Sequence, residues 1–242
     1  MLIACLGKLL VEKQSNLDFT AEHQEVSMRR LPVYLVLDVS GSMSGEPIES
    51  VKNAVDGLVS ALRQDPQSLE TVFLSVITFS DDAEQLIPLT ELPAFQTPSL
   101  VQGGGTFFGK ALSLLAQRIQ AEVVKSTREQ KGDWRPMVVF MTDGQASDSD
   151  NEVQAGLQEF KSTKTGLVIA CGAGGSADVD FLKKFTETVV TLDTTDPRSI
   201  AAFFKWVSDS IGVGSQRIEQ GQAEVTKIND LPPPPPEVKV VV

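Results

Sequence analysis

Short apolar runs alternate with segments of helical periodicity along this chain, and few folds are compatible with that pattern. Residues 33–38 (VYLVLD) and 136–144 (PMVVFMTDG) contain continuous apolar runs, which are typical of strands buried on both faces of a parallel sheet. Between them, residues 48–64 carry apolar side chains at the spacing of an amphipathic helix. Strands that alternate with helices predict an α/β fold in which helices cover both faces of the sheet.

The remaining elements complete a doubly wound, Rossmann-like pattern. The strands predicted at 71–79 and 83–89 are separated by only three residues, which suffices for a hairpin but not for a parallel crossover. Right-handed crossovers then favour a six-stranded, mostly parallel sheet in the order 3-2-1-4-5-6, with one antiparallel edge strand. The other predicted strands are 166–172 and 188–193, and the later helices are 151–161, 178–185 and 196–210.

The chain is long enough for one domain with a tail at each end. Its 242 residues, 41% of them hydrophobic, can form one sizeable core. The predicted division is an N-terminal extension over 1–30, the domain over 31–211 and a proline-rich tail over 212–242. The tail ends in LPPPPPEVKVVV, and because consecutive prolines cannot join a central strand, we expect it to be dispensable for the core. Two interpretations stay open: a disordered tail, or a segment that docks in a partner's groove or extends a partner's sheet.

Charge and cysteine content limit the partners and the compartment. A formal net charge of −11 opposes binding to nucleic acid or to an anionic membrane, since there is no excess of Lys and Arg to release counterions. Cys5 and Cys171 match no CxxC spacing, which favours free thiols in a reducing compartment and therefore the cytoplasm. The apolar opening lacks the basic start of an export signal, and no apolar run reaches the ~18 residues of a membrane span.

Acidic residues end the two most apolar strands. Asp38 closes strand 1 and Asp143 closes strand 4, and in the predicted order these neighbouring strands border the ligand crevice of an open α/β sheet. Two serines follow the first acid, and a Gly-rich loop, GGGTFFG, is flexible enough to carry a threonine to the same edge. We therefore expect five oxygen-bearing side chains to converge there, those of Asp38, Ser40, Ser42, Thr106 and Asp143.

Two carboxylates and three hydroxyls, without histidine or cysteine, form the donor set of a hard divalent cation, and we predict Mg²⁺ or Mn²⁺. Because two carboxylates only balance the charge of the cation, a carboxylate from a partner can complete the coordination shell. Simpler interpretations stay open for each element. They are a strand-to-helix turn at 38–42, a helix N-cap at Thr106 and an Asp-Gly turn at Asp143.

The same residues resemble a known motif. DVSGS at 38–42, Thr106 in GGGT and TDG at 142–144 are similar to the metal-ion-dependent adhesion site, or MIDAS, of von Willebrand factor A (VWA) domains. The resemblance covers roughly residues 31 to 210, and all five donor positions match the motif. It implies a protein-binding module in which a partner's carboxylate coordinates the cation, and it implies no catalysis.

Longer segments resemble one group within that family. RRLPVYLVLDVSGSMSGEPIE, STREQKGDWRPMVVFMTDG, FFKWVSDS and the closing LPPPPPE are similar to the VWA proteins of bacterial tellurium resistance. That resemblance implies a cytoplasmic protein of a stress-response system. It also implies that a PP2C-like phosphatase and a protein kinase are partners.

The main alternative to a protein-binding module is an enzyme. It would use the same crevice for Mg²⁺-dependent phosphotransfer or hydrolysis. An aspartyl-phosphate mechanism needs a second carboxylate two residues after Asp38, where Ser40 stands. A serine hydrolase needs a base, and the one histidine, His23, lies in the extension, where we expect it on the surface. GAGGSA at 172–177 resembles a dinucleotide fingerprint, but its strand is expected away from the switch point, which favours an ordinary loop.

Overall fold

The computed structural model describes residues 29–129, 131–220, 222 and 224–241. Its centre is a seven-stranded sheet in the order β3-β2-β1-β4-β5-β6-β7. The strands are β1 (Leu31–Asp38), β2 (Val72–Phe79), β3 (Ala83–Glu91), β4 (Met137–Thr142), β5 (Val168–Ala173), β6 (Thr188–Leu192) and β7 (Lys239–Val241). The helices are α1 (Glu46–Gln64), α2 (Pro66–Thr71), α3 (Phe108–Glu122), α4 (Asp150–Lys161), α5 (Val179–Phe185) and α6 (Pro197–Glu219), with single 3₁₀ turns at Gly41–Met43 and Ile228–Asp230.

The sheet confirms the predicted α/β class and the order of the first six strands. Strands β2, β1, β4, β5 and β6 are parallel, and β3 pairs antiparallel with β2. The prediction of six strands with one antiparallel edge strand was wrong, because the sheet has seven strands and both edge strands are antiparallel. A seventh strand, β7, pairs antiparallel with β6 and forms the second edge.

Helices cover both faces of the sheet, as the continuous apolar runs predicted. In β1, Leu35 and Leu37 face the layer formed by α1 and α6, where Phe203 is one of their core partners. The alternate residues Tyr34 and Val36 face the layer formed by α3, α4 and α5. Every residue of β1 is buried, because successive side chains of a strand point to opposite faces and both faces are covered.

Helix α1 ends where expected, but the proline after it does not end helical structure. Asp65 accepts a hydrogen bond from the Ser68 backbone N–H and caps α2, whose first residue is Pro66. Proline is tolerated at the first position of a helix because its missing N–H would have no partner there. The pattern Asp-Pro therefore separates two helices and positions the second one before β2.

Helix α6 ends nine residues later than predicted, so the expected division at residue 211 falls inside it. Gly212 and Gly214 lower the helix propensity after Ile211. Tertiary contacts outweigh that loss: the buried hydroxyl of Ser215 lies 2.7 Å from the hydroxyl of Thr71 in α2. Packing against α2 therefore stabilises α6 beyond Ile211.

The proline-rich tail packs on the domain. The indole Nε1 of Trp206 in α6 donates a 2.8 Å hydrogen bond to the carbonyl oxygen of Pro232. Val225 and Val238 are buried in the core layer of α1 and α6, and the Lys239 ammonium lies 2.6 Å from the Asp193 carboxylate. The β-prone end thus extends the sheet of its own chain.

The first described residues also contact the domain, although they were assigned to the extension. Arg30 forms an ion pair of 2.6 Å with Asp133, and the Arg29 guanidinium lies 3.8 Å from the ring centroid of Trp134. The expectations for His23 and Cys5 fall outside the described residues. Cys171 is a buried free thiol in β5. Each helix of the described part is too short or too polar to cross a bilayer.

Candidate metal centre

The predicted acidic residues lie side by side at the carboxyl edge of the sheet. Asp38 is the last residue of β1, and Asp143 directly follows Thr142, the last residue of β4. Because β1 and β4 are neighbouring parallel strands, both side chains reach the edge at which the order of strand connection reverses. Both are buried, with 2% and 8% of their surface exposed.

Hydrogen bonds link the two acids through the serines of the DVSGS turn. The Ser42 hydroxyl donates to Asp143 Oδ1 at 2.7 Å, and the hydroxyls of Ser40 and Ser42 lie 3.1 Å apart. The backbone N–H of Ser40 donates to Asp38 Oδ1 at 2.8 Å. Four of the five predicted side chains therefore form one local cluster.

The Gly-rich loop lies directly on this turn. The Gly41 N–H donates to the Gly104 carbonyl at 2.9 Å, and the Gly103 N–H donates to the Val39 carbonyl at 2.7 Å. A side chain at Gly103 would overlap Ser80, because an added Cβ would lie 2.3 Å from the Ser80 Cβ. Glycine is needed at this position because two backbone segments and the end of β2 meet there.

Thr106 is buried against the segment that follows β4. Its backbone N–H donates to the Ser147 hydroxyl at 3.0 Å, and its carbonyl accepts from the Ser147 N–H at 2.9 Å. Its hydroxyl oxygen lies 3.3 Å from the position of a Cβ added to Gly144. The loop thus brings Thr106 beside Gly144, the residue after Asp143.

Thr106 is not the N-cap of a helix, which was the simpler interpretation of this residue. Helix α3 begins at Phe108, two residues later, and its first amides donate to the Asp148 carboxylate. The distances are 3.2 Å from the Phe108 N–H and 2.5 Å from the Gly109 N–H. The Thr106 hydroxyl is therefore free of a capping role.

Sequence reasoning missed the residues that hold the donors in place. Thr142 donates to Asp38 Oδ2 at 2.5 Å, and Asp81 accepts from the amides of Gly104 and Gly105 at 3.0 and 2.7 Å. Thr142 is the first residue of the TDG motif, and no function was predicted for it from the sequence. Asp81 follows β2, which is the other neighbour of β1. Its position after that strand could have indicated that it lies at the same edge of the sheet.

Burial raises the pKa of both acids. For Asp38, desolvation raises the pKa, hydrogen bonds from Ser40 and Thr142 lower it in part, and the charge of Asp143 raises it again. For Asp143, desolvation raises the pKa and the Ser42 hydrogen bond opposes the shift. None of the ion pairs found among the described residues involves either acid. A cation at this edge would supply the missing countercharge.

The residues present fit a hard divalent cation. The donor atoms are two carboxylates and three hydroxyls, and oxygen ligands of this kind suit Mg²⁺ and Mn²⁺. Within the described part of the chain, no group of three or more His, Cys, Asp or Glu side chains could hold a metal. Neutral hydroxyls are therefore an essential part of the candidate donor set.

The segment that resembles a dinucleotide fingerprint forms a tight connection between β5 and α5. Gly174 has a positive φ of 77°, and its N–H donates to the Leu192 carbonyl at 2.9 Å. The amide of Phe181 at the start of α5 is capped by Asp178 of the chain itself. Asp193, the acid about twenty residues on in the fingerprint, is paired with Lys239. These contacts leave the segment with a structural role.

Comparison with known proteins agrees with this geometry. Residues 33–205 match the model of the von Willebrand factor type A domain. An uncharacterized protein of Synechocystis sp. is 35% identical over 131 residues, which are 51% of this chain and 28% of that protein. The chain thus matches less than a third of the length of this relative.

Solved structures share the fold at low identity. A von Willebrand factor type A protein from Catenulispora acidiphila superposes with a TM-score of 0.61 at 16% identity, over 77% of this chain and 43% of that one. Proximal thread matrix protein 1 from the mussel byssus, in a form with a zinc-occupied MIDAS motif, has a TM-score of 0.58 at 20% identity, over 75% of this chain and 48% of that one. Since the family model matches more than half of the residues, this chain belongs to the von Willebrand factor type A domain family.

Proposed function

We propose that this chain is an adaptor that binds a protein partner through a divalent cation, Mg²⁺ or Mn²⁺. The observation that carries the proposal is the cluster of two buried acids and two serine hydroxyls, which are joined by hydrogen bonds and have no basic ion-pair partner among the described residues. The candidate ligands are Asp38, Ser40, Ser42, Thr106 and Asp143.

Each part of the cluster has a distinct task in this proposal. Asp38 and Asp143 supply the two negative charges that balance the cation, and the hydroxyls complete its oxygen environment. Ser42 is exposed at the rim of the site, on the side from which a partner approaches. The bound cation supplies an attachment point for an external carboxylate, because a near-neutral site tolerates one further negative ligand.

Residues around the cluster preorganise it. Thr142 fixes one oxygen of Asp38, and Asp81 fixes the amides of Gly104 and Gly105 in the loop that carries Thr106. Second-sphere hydrogen bonds of this kind orient ligands and strengthen metal binding. The zinc-occupied MIDAS motif of the mussel protein supports a divalent cation at the matching motif of this chain.

The finer proposal is that the adaptor belongs to the TerY type of tellurium-resistance proteins. The segments RRLPVYLVLDVSGSMSGEPIE, STREQKGDWRPMVVFMTDG, FFKWVSDS and LPPPPPE support it. On this basis the partners are a PP2C-like phosphatase and a protein kinase in the bacterial cytoplasm. The net charge of −11 favours a protein partner over nucleic acid.

A Mg²⁺-dependent phosphotransfer or hydrolytic enzyme remains the second candidate. It would use the same acids, but Ser40 stands where an aspartyl-phosphate mechanism needs its general acid. In the described cluster, the groups hydrogen-bonded to Asp38 and Asp143 are hydroxyls and backbone amides. The adaptor is preferred because binding needs only the cation and an open position.

The test combines metal titration with partner capture. Calorimetric titration with Mg²⁺ and Mn²⁺ is expected to give binding to the wild-type chain and none to Asp143→Ala. Asp56→Ala, at an exposed position of α1, is the matched control and is expected to bind like wild type. Capture of a PP2C-like phosphatase or a protein kinase from the native host is expected in Mg²⁺ and not in EDTA. Full capture in EDTA, or metal binding unchanged in Asp143→Ala, would contradict the proposal.

A further inference from the structure

A cleft of about 400 Å³ lies beside the metal centre, between the β2–β3 hairpin and residues 99–103. Val39 and Gly103 line it, and these two residues are joined by the 2.7 Å hydrogen bond described above. Val39 stands between Asp38 and Ser40 in the chain. Val39 therefore links the lining of the cleft to the segment that carries the first metal donors.

The lining of the cleft is apolar in one part and acidic in another. Val39, Leu86 and Val101 supply apolar surface, and Val101 is 77% exposed at the rim. Asp82 and Glu84 supply carboxylates, and the described residues that line the cleft include no Lys, Arg or His. A side chain with an apolar stem and a cationic head matches both parts, because Lys and Arg bury their methylene groups while the charged end stays near water and anions.

The lysine that pairs with Asp82 is already engaged. The Lys110 ammonium donates to the Asp81 carbonyl at 2.7 Å and lies 3.5 Å from the Asp82 carboxylate. The ion pairs of the described residues leave Glu84 without a basic partner. Its charge is thus open to an incoming cation.

We propose that this cleft receives a Lys or Arg side chain of the same partner segment whose carboxylate coordinates the cation, an inference that rests on the proposed function. The recognised segment then contains an acidic residue for the metal and a basic residue for Glu84. Because Val39 lines the cleft and lies between two donor residues in the chain, both side chains belong to one short stretch of the partner. An acidic side chain in the cleft would meet like charges, and a purely apolar one would desolvate Glu84 without compensation.

The test uses a library of random linear peptides, selected on the full chain in Mg²⁺ and released with EDTA. Peptides released by EDTA are expected to be enriched in Asp or Glu, with Lys or Arg at a constant spacing. Selection on Glu84→Lys is expected to keep the acidic residue and to lose the basic one. Selection on Glu91→Lys, an exposed position of β3 outside the cleft, changes the net charge equally and is expected to keep both.

Binding of one selected peptide gives the size of the effect. Glu84→Lys is expected to weaken it about fivefold, the range of a partly exposed ion pair. The same peptide with its basic residue changed to Ala is expected to be insensitive to Glu84→Lys. Equal Mg²⁺ affinity of the wild type and Glu84→Lys would show that the metal centre is intact.

The outcomes separate the two proposals. Selected peptides that carry the acidic residue without a basic one would contradict the proposed role of the cleft. So would peptides that keep their basic residue when they are selected on Glu84→Lys. Both results would remain compatible with the metal-bridged contact. If no selected peptide is released by EDTA, the proposed metal-bridged contact is contradicted. The proposed role of the cleft is then contradicted as well, because it depends on that contact.

Discussion

Removal of β7 is expected to destabilise the whole domain, contrary to the dispensable tail that the proline run suggested. The perturbation is a truncation after Pro236, which deletes Val238 and the strand Lys239–Val241. Val238 is 4% exposed within the core layer of α1 and α6. Truncation also opens the edge of β6 and breaks the ion pair between Lys239 and Asp193.

The magnitude follows from these contacts. Full burial of a valine side chain contributes about 1.5–3 kcal/mol. Each lost strand hydrogen bond costs about 0.5–1.5 kcal/mol net, and an exposed ion pair contributes about 0.2–1 kcal/mol. The free energy of unfolding is therefore expected to fall by about 2–5 kcal/mol. For a chain of this size about 2–4 °C of melting temperature corresponds to each kcal/mol, so the melting temperature falls by about 4–20 °C.

Thermal unfolding followed by circular dichroism measures this change, with two full-length variants as matched controls. Val238→Ala is expected to lower the melting temperature by several degrees, because it removes buried methyl groups. Val240→Ala, on the same strand but 40% exposed, is expected to change it little. A truncated chain that melts within about 2 °C of wild type would refute the view that the tail belongs to the core.

Other predictions concern the candidate metal centre. Asp38→Asn is expected to weaken Mg²⁺ binding at least tenfold in calorimetry, because one carboxylate is left to balance the cation. Saturating Mg²⁺ is expected to raise the wild-type melting temperature, since it binds only the folded state; at about 100 times its Kd the gain is about 2.7 kcal/mol. Gly103→Ala is expected to weaken Mg²⁺ binding because its Cβ meets Ser80, whereas Gly175→Ala, with open space around it, is not; equal effects of the two would contradict this reasoning.

Sequence and structure agree most closely where the signal is local. The apolar runs of β1 and β4 predicted buried parallel strands, and the acids at their ends followed from the switch-point rule. The supporting residues were harder to find. Asp148 caps α3 across a gap of some forty residues, and no short-range pattern ties a carboxylate in one loop to amides in another.

Local patterns were enough to predict the sheet order of the six longer strands and the position of Asp38 and Asp143 at its carboxyl edge, because periodicity and strand ends are properties of contiguous residues. The extension of α6, the cap of α3 and the existence of β7 depend instead on contacts between distant parts of the chain. A strand of three residues has too little local preference to form alone. It exists because the β6 edge, the Trp206 indole and the core around Val238 come together in the folded chain.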